Sequence, residues 1–372
     1  MKALIRAVFI LVLVTMIGCG SDSPPPAANL ALLYMVGQGF NSVQGFHVKS
    51  TGELSPTSVA SFTTNPRPAG MALHPSANFL YVTSVSANTV SGYTVDHTTG
   101  VLTPVGTALA PVPTGTSPIA ARINSGGQFL LVLNQGDANM ASISIYSIDQ
   151  ARGILTQVGT PSPTGLTSVQ DMVVSPTAGF LYVSSGTAPS TITGFSISAS
   201  GTLALVGSIS GGTGSNIAQL AIDRKGQFLY APDSANNQVL SLSIASSGAL
   251  TPVAGSPFST GTQPAAAAVD ATGSFVYVSN AGSNDVSAYK SAAGVLSKVA
   301  GSPYPTQGGG TLPATQPGFL TVDATNNFLY VSNVATKAIA SFAINSADGT
   351  LTTVNNSPFP APVAASRMVS TK

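Results

Sequence analysis

The sequence contains very little charge. Only 7% of its 372 residues are Asp, Glu, Lys or Arg, and the formal net charge is +1, whereas about 25% of residues are charged in an ordinary soluble domain. Nucleic-acid binding requires a basic stripe or patch, and the sequence has none, so we expect no nucleic-acid partner. Ser, Thr, Asn, Gln and Gly supply the polar surface instead, which is typical of proteins outside the cytoplasm.

The chain also lacks the residues of common metal and catalytic sites. Its single cysteine, Cys19, excludes an internal disulfide and a cysteine-rich metal site. There is no G-x-S-x-G elbow, no H-E-x-x-H motif and no histidine pair at metal-ligand spacing. The glycine-rich stretch 306–311 lacks the Gly-Lys-Ser/Thr of a phosphate-binding loop. We therefore predict no metal and no cofactor.

Long apolar runs are absent after residue 18. The mean hydropathy is +0.34, but a membrane-spanning helix needs roughly 18 to 20 consecutive apolar residues. Residues 1–18 combine a short basic segment with an apolar core, which is the pattern of a secretory signal peptide. Cys19 completes a Met-Ile-Gly-Cys sequence that resembles the bacterial lipobox, in which the cysteine is lipidated.

The N-terminus thus predicts where the protein resides. Residues 19–29 contain three consecutive prolines and are expected to form an unstructured tether between the lipidated cysteine and the domain that begins at residue 30. Ser21 favours the outer membrane, by resemblance to lipoprotein sorting rules. We expect a protein of the bacterial cell envelope, held to the membrane by its N-terminal lipid. A plain signal peptide with an incidental cysteine is the alternative.

Residues 30–372 repeat one pattern seven times, at intervals of 47 to 53 residues. Each copy begins with an apolar run of the type Phe-Leu-Tyr-Val and continues with an alternating run and a Gly-x-Leu sequence. The Phe-Leu-Tyr-Val slots begin at Leu32, Phe79, Phe129, Phe180, Phe228, Phe275 and Phe328, and the Gly-x-Leu sequences end at Leu54, Leu102, Leu155, Leu203, Leu250, Leu296 and Leu351.

The runs are short, rich in Val, Ile, Tyr and Phe, and separated by turn residues, as in β-strands. Another run precedes each slot, so each copy supplies four strands. Four strands with a period near 50 residues predict an all-β, seven-bladed β-propeller. Asp223, Asp270 and Asp323 lie between such a preceding run and its slot, and we assign them to turn formation.

The two ends of the repeat region predict that the ring closes. The first copy starts directly at Leu32 and lacks its preceding run, whereas the C-terminal segment 362–372 is such a run without a slot after it. The C-terminal segment should therefore pair with residues 32–35 and complete the N-terminal blade, which removes two exposed strand edges. We expect a monomer.

The strand ends Tyr-Val-Ser-Asn (277–280 and 330–333) and the segments related to Gly248–Phe258 resemble those of the seven-bladed lactonase-type propellers. That family includes 6-phosphogluconolactonase and the fungal muconate-cycloisomerising enzymes. The resemblance covers residues 30–372 and implies the propeller fold. It also implies a site at the central opening with a histidine and an Arg-His pair at the starts of inner strands, a glutamate in a loop, and further arginines.

This chain departs from the implied catalytic set. None of the inner-strand starts holds a histidine. His47 falls in a third strand, His74 at a turn on the opposite face, and His97 in an outer turn. The only glutamate, Glu53, falls in an outer turn as well. The acid–base set of the family is therefore missing at the expected positions.

The remaining candidate ligand-binding residues are polar groups on or beside the inner strands: Arg67, Arg122, Asp171, Gln219 and Arg367. Arg122 and Asp171 belong to neighbouring blades and have the same strand parity, so they should face each other near the axis. They could form an ion pair in a narrow channel or hold a ligand.

Three functions fit these observations. The first is a non-catalytic, lipid-anchored module that binds a protein or glycan of the cell envelope. The second is an envelope lactonase, similar to 6-phosphogluconolactonase, with an arginine-based site. The third is a structural or adhesive surface protein.

Overall fold

The computed structural model describes residues 29–37, 41–106, 111–136, 140–306, 315–362 and 365–371. These residues form an all-β, seven-bladed propeller, which confirms the predicted fold. They include no helix that is long and apolar enough to cross a membrane. The predicted signal peptide, Cys19 and the tether up to residue 28 lie outside the described residues.

Each blade is an antiparallel sheet whose strands follow one another from the axis outward. Blade 1 contains β1 (Asn29–Val36), β2 (Ser42–Lys49), β3 (Leu54–Thr63) and the C-terminal strand β33 (Arg367–Ser370). Blade 2 contains β4 (Pro68–Leu73), β5 (Phe79–Ser84), β6 (Thr89–Val95), β7 (Leu102–Pro104) and β8 (Val112–Pro113). Blade 3 contains β9 (Pro118–Ile123), β10 (Phe129–Asn134), β11 (Ser142–Ile148), β12 (Leu155–Gln157) and β13 (Ser162–Pro163). Blade 4 contains β14 (Val169–Val174), β15 (Phe180–Ser185), β16 (Thr191–Ile197) and β17 (Leu203–Ser210).

The last three blades follow the same plan. Blade 5 contains β18 (Ala221–Ile222), β19 (Phe228–Asp233), β20 (Gln238–Ile244), β21 (Leu250–Pro252) and β22 (Phe258–Ser259). Blade 6 contains β23 (Pro264–Val269), β24 (Phe275–Asn280), β25 (Asp285–Ala292), β26 (Val295–Lys298) and β27 (Tyr304–Pro305). Blade 7 contains β28 (Pro317–Val322), β29 (Phe328–Asn333), β30 (Ala338–Ile344), β31 (Leu351–Thr353) and β32 (Phe359–Pro360).

The fourth position of a blade differs from the simple four-strand pattern. In blades 1 and 4 it is one continuous strand, β3 or β17. In the other five blades two short segments share the third strand as partner, for example β21 and β22 along β20. In blade 5, Gly255-Ser256-Pro257 lies between the two segments, and proline supplies no N–H to a ladder.

The seven innermost strands all run in the same direction along the channel, so the disc has two distinct faces. We call the face at their first residues the start face, and the face at their last residues the end face. Asp223, Asp270 and Asp323 form turns, as predicted, and these turns lie on the end face. Asp223 Oδ1, for example, accepts hydrogen bonds from the backbone N–H groups of Gln227 (2.7 Å) and Phe228 (2.8 Å).

The recurring Tyr and Gly residues link each blade to the next one. The Gly of a Gly-x-Leu sequence has a positive φ and lies against the first residue of the slot in the preceding blade; a Cβ on Gly52 would stand 2.3 Å from the Phe328 ring. The carbonyl of this Gly also accepts a hydrogen bond from the tyrosine hydroxyl of that blade, in the pairs Tyr34–Gly100, Tyr81–Gly153, Tyr182–Gly248, Tyr277–Gly349 and Tyr330–Gly52. The slot and the Gly-x-Leu sequence therefore recur together because they form one contact.

The hydrophobic core is divided among the seven interfaces between blades. One cluster of buried residues lies between each pair of neighbouring blades, including the pair formed by blades 7 and 1. The cluster between blades 7 and 1 contains Leu33 and Met35 from β1, Tyr330 from β29, and Met368 from β33. Burial of apolar surface at every interface stabilises the closed ring.

The C-terminal strand closes the ring as predicted. β33 pairs antiparallel with β1, with Leu33 opposite Ser370 and Val36 opposite Arg367. Met368 packs into the cluster between blades 7 and 1, whereas Val369 packs against the cluster between blades 1 and 2. Alternate residues of β33 thus serve opposite sides of blade 1.

Candidate functional site

The candidate site lies in the central channel, at one equivalent position of the inner strands. The register with the second strands places the same position of each blade at the channel wall, opposite Val36 in blade 1, Leu133 in blade 3 and Ser184 in blade 4. The residues at this position are Gly70, Ala120, Asp171, Gln219, Ala266, Phe319 and Arg367. Four of the seven blades therefore direct a large side chain into a narrow channel.

Asp171 is the centre of a buried ion-pair network. Its Oδ1 accepts hydrogen bonds from Arg122 Nη2 at 3.1 Å and from Arg367 Nη2 at 2.7 Å. Its Oδ2 accepts one from the backbone N–H of Leu220 at 3.0 Å. The predicted contact between Arg122 and Asp171 is present, and Arg367 joins it from blade 1, on the far side of the channel from blade 4.

Among the described residues the network carries one uncompensated positive charge, because two guanidinium groups share one carboxylate. Arg367 is 5% exposed, lies 5.5 Å from the centre of the Phe319 ring, and has a buried Nη1 with no hydrogen-bond partner among the described residues. Burial lowers the pKa of Arg122 to about 10; Asp171 opposes this fall and Arg367 adds to it. Arg122 therefore stays protonated at neutral pH, and the site attracts anions.

The larger mouth of the channel is a cavity of about 620 Å³ on the end face. We call it the arginine mouth. Its polar lining comprises Arg122, Arg224, Arg367, Gln219, His74 and His97, with three hydroxyl residues, Ser76, Thr321 and Ser370. No acidic side chain of the described residues lines it; Asp171 lies at its base, engaged by both arginines. A cavity of this size with converging cationic donors suits a small anionic ligand.

The smaller mouth, on the start face, has a volume of about 290 Å³ and shares Gln219 and Arg367 with the arginine mouth. The ion-pair network thus lies between the two openings. Arg67 is not part of either. Its backbone turns with φ 55° before β4, its N–H donates to Asn41 Oδ1, and its side chain is exposed. The structure therefore brings together four of the five predicted site residues.

His74 and His97 differ in how many of their ring nitrogens are engaged in contacts. His74 Nδ1 lies 2.7 Å from Ser76 Oγ and its Nε2 lies 3.2 Å from the Gly127 carbonyl, so both ring nitrogens are engaged. His97 is exposed, and its Nε2 lies 3.2 Å from Asn78 Oδ1. Because this amide oxygen only accepts, it fixes the proton on Nε2 and leaves Nδ1 of His97 as an acceptor.

Sequence reasoning missed several residues of the arginine mouth. Phe319 stands nine residues before Phe328, just as Asp171 stands nine residues before Phe180, so the repeat itself places both at the same position. His74, His97 and Arg224 come from end-face turns, which carry no repeat signal for proximity to the axis. Across the described residues, no cluster of His, Cys, Asp and Glu could hold a metal ion.

Comparison with known proteins places this geometry in a family. The sequence profile of the family described as "Lactonase, 7-bladed beta-propeller" matches residues 27–169, 210–308 and 252–366. No curated protein matches the sequence.

Solved structures share the fold at low identity. The periplasmic gluconolactonase of Pseudomonas aeruginosa superposes with a TM-score of 0.75 at 18% identity, over 92% of this chain and 99% of that one. A provisionally assigned 6-phosphogluconolactonase from Bacteroides uniformis gives 0.74 at 18%, over 92% and 100%. A Lactobacillus plantarum protein gives 0.74 at 17%, over 92% and 99%. With the profile covering well over half of its residues, the chain belongs to the lactonase family of seven-bladed β-propellers.

Proposed function

We propose that the protein binds a small anionic sugar lactone in the arginine mouth and opens its ring. One observation carries the proposal: the base of this cavity holds an uncompensated guanidinium group, and its lining has three arginines and no carboxylate among the described residues. Family membership supports lactone chemistry, and two structural neighbours bear gluconolactonase or 6-phosphogluconolactonase names. A phosphate or carboxylate on the substrate would supply the missing negative charge.

The residues of the arginine mouth offer each group that lactone hydrolysis needs. His97 Nδ1 takes a proton from water as the water oxygen bonds to the lactone carbonyl carbon. The guanidinium N–H groups of Arg122 or Arg367 stabilise the tetrahedral oxyanion that forms. Collapse of this oxyanion breaks the ring C–O bond, and the ring oxygen leaves as a hydroxyl with the proton from His97.

Proton release from 6-phosphogluconolactone and from uncharged gluconolactone tests this proposal. We expect turnover above the uncatalysed rate, with a lower KM for the phosphorylated lactone. His97→Gln should lower kcat by about 10²-fold or more, the usual contribution of a general base. Arg224→Met should mainly raise KM. Arg152→Met, which changes an exposed arginine outside the cavity, is the matched control. Absence of turnover for both lactones would exclude the catalytic proposal.

A non-catalytic role in binding an envelope ligand is the second candidate. It is favoured by the engagement of both Asp171 oxygens and by the position of Glu53, which pairs with Lys49 at 3.1 Å in an outer turn. A binding module would take up 6-phosphogluconate without turning over the lactone. Calorimetric titration of 6-phosphogluconate, alongside the hydrolysis assay, separates the two candidates, and a structural or adhesive protein would show neither response.

We further propose that the propeller is anchored in the cell envelope through lipidated Cys19. The lipobox-like sequence supports this location, and one structural neighbour has a periplasmic name. Cys19→Ser should leave the protein unlipidated and soluble after membrane fractionation. Retention of this variant in salt-washed membranes would show that Cys19 is not the anchor.

A further inference from the structure

Blade 5 departs from the repeat at its inner strand. β18 contains only Ala221 and Ile222, whereas the inner strands of the other blades have four to six residues. The adjacent strand β19 carries Pro232 where four other blades have Ser or Thr. The Pro232 carbonyl accepts a hydrogen bond from Ala218 N–H at 2.8 Å, but proline has no N–H to return. The ladder between β18 and β19 is therefore interrupted.

The backbone before β18 bonds to the neighbouring blades instead. The N–H of Gln219 donates to the Ala265 carbonyl of blade 6 at 3.1 Å, and Gln219 forms a parallel bridge with Ala266. The N–H of Leu220 donates to Asp171 of blade 4. A cavity of about 570 Å³ lies on the start face over blades 4, 5 and 6. We call this cavity the blade-5 notch.

The blade-5 notch has a mixed lining whose polar side chains are uncharged. Its polar side chains are Gln170, Asn216, Gln219, Ser234 and Gln263, and no charged side chain of the described residues lines it. Gln219 Oε1 is buried and accepts no hydrogen bond from any described residue. A buried acceptor without a partner costs free energy, which a ligand donor would recover.

Asp233, which is fully buried, fixes the blade-5 wall of the notch. Its Oδ1 accepts hydrogen bonds from the N–H groups of Asn216 (2.9 Å) and Ala235 (3.2 Å). Its Oδ2 accepts from the amides of Asn236 (2.7 Å) and Gln238 (3.1 Å). The blade-5 wall is therefore preorganised before any ligand binds.

We propose that the blade-5 notch is a second binding site, specific for a neutral saccharide. Its four side-chain amides and the Ser234 hydroxyl match the alternating donors and acceptors of sugar hydroxyls, and a sugar O–H would donate to Gln219 Oε1. The absence of charge on its described lining disfavours ionic ligands, in contrast to the arginine mouth. Its volume lies within the roughly 300 to 1,000 Å³ of small-molecule sites. The proposal does not rest on the lactone chemistry, although Gln219 lines both cavities.

Calorimetric titration with maltose, cellobiose and chitobiose tests the site. We expect at least one disaccharide to bind with a Kd of about 1 mM or tighter. Gln219→Leu and Gln263→Gly should each weaken this binding about tenfold, the usual effect of losing one hydrogen bond. Gln263 has φ 52°, so glycine removes its amide without straining the backbone.

Gln316→Gly is the matched control, because Gln316 occupies the corresponding turn of blade 7, has φ 48° and lies outside the notch. Gln263→Gly should also leave lactone turnover unchanged, since Gln263 does not line the arginine mouth. Failure of all three disaccharides to bind at about 10 mM would overturn the proposal. Equal disaccharide affinity in Gln263→Gly and the unmodified protein would overturn it as well.

Discussion

Replacing Asp171 by alanine removes the carboxylate that both arginines of the channel network share and leaves two guanidinium groups facing each other. Asp171 accepts three hydrogen bonds, from Arg122, Arg367 and the Leu220 backbone. Removing one partner of a buried ion pair costs about 3 to 5 kcal/mol, because the remaining charge stays buried without compensation. Arg367 contributes most of this cost, since its side chain is 6% exposed, whereas that of Arg122 is 23% exposed and partly screened by solvent.

We therefore expect Asp171→Ala to lower the free energy of unfolding by about 4 kcal/mol, a large part of a typical margin of about 5 to 15 kcal/mol. For a domain of this length the thermal midpoint should fall by roughly 4 to 7 °C. Calorimetry measures the thermal midpoint, and chemical denaturation monitored by circular dichroism measures the free energy of unfolding.

Two further measurements identify the unpaired charge as the cause. The double variant Asp171→Ala/Arg367→Met should be more stable than Asp171→Ala alone, because the methionine removes the most buried charge. Acetate should raise the midpoint of Asp171→Ala more than chloride at equal ionic strength, by binding in the vacated position. At tenfold excess over its Kd this gain is about 1.4 kcal/mol. A loss below about 1 kcal/mol in Asp171→Ala, or a double variant no more stable than the single one, would refute the reasoning.

Three other perturbations test the architecture. Deleting residues 365–372 should cause aggregation or a much lower thermal midpoint, because it exposes the edge of β1 and the cluster between blades 7 and 1; an unchanged midpoint and monomeric elution would show that the ring is not closed by β33. Burial raises the pKa of all ten tyrosines above the ordinary value of 10, and the shift is large for nine of them. The unfolded chain therefore loses protons first and stability falls above pH 10, by on the order of 10 kcal/mol per pH unit if those nine respond. Tyrosinate absorbance should therefore appear together with unfolding, whereas titration near pH 10 in a folded protein would contradict it. Leu131 lies opposite Ile145, so Leu131→Tyr should destabilise the protein by about 1 to 3 kcal/mol through overpacking. The double variant Leu131→Tyr/Ile145→Ser should recover most of that loss in a denaturation series. Equal stability of the single and double variants would argue against this pairing.

The fold was predictable because its contacts repeat. The Tyr of each slot lies opposite a small residue in the next strand, as Tyr81 lies opposite Gly92, and reaches the Gly-x-Leu turn of the following blade. Blade 3 replaces both members of this pair, with Leu131 opposite Ile145. The two opposite side chains thus fill a similar total volume in each blade, and in blade 3 that volume is divided between Leu131 and Ile145. The split outer strands were not predicted, because segments of two or three residues have no periodicity to detect.

The candidate site was predictable only where it depends on neighbouring blades. Strand parity placed Arg122 beside Asp171, and the structure confirms this contact. Arg367 approaches Asp171 across the channel, and that distance depends on the radius of the closed ring, which no local pattern encodes. Arg67 was grouped with the site because it precedes an inner strand, but the turn at positive φ directs it to solvent.

The positions that distinguish this propeller from a purely repetitive one are those that leave the repeat. Residues shared by all blades form the contacts between neighbouring blades, so a mutation there affects stability whichever blade it falls in. Asp171 and Arg367 occupy a position that is Gly or Ala in three other blades, and Pro232 occupies one that is Ser or Thr in four. A buried charge or a broken ladder costs stability, and the blade interfaces offset that cost. Ligand-binding chemistry is therefore expected at these departures, and the arginine mouth and the blade-5 notch both lie where such departures occur.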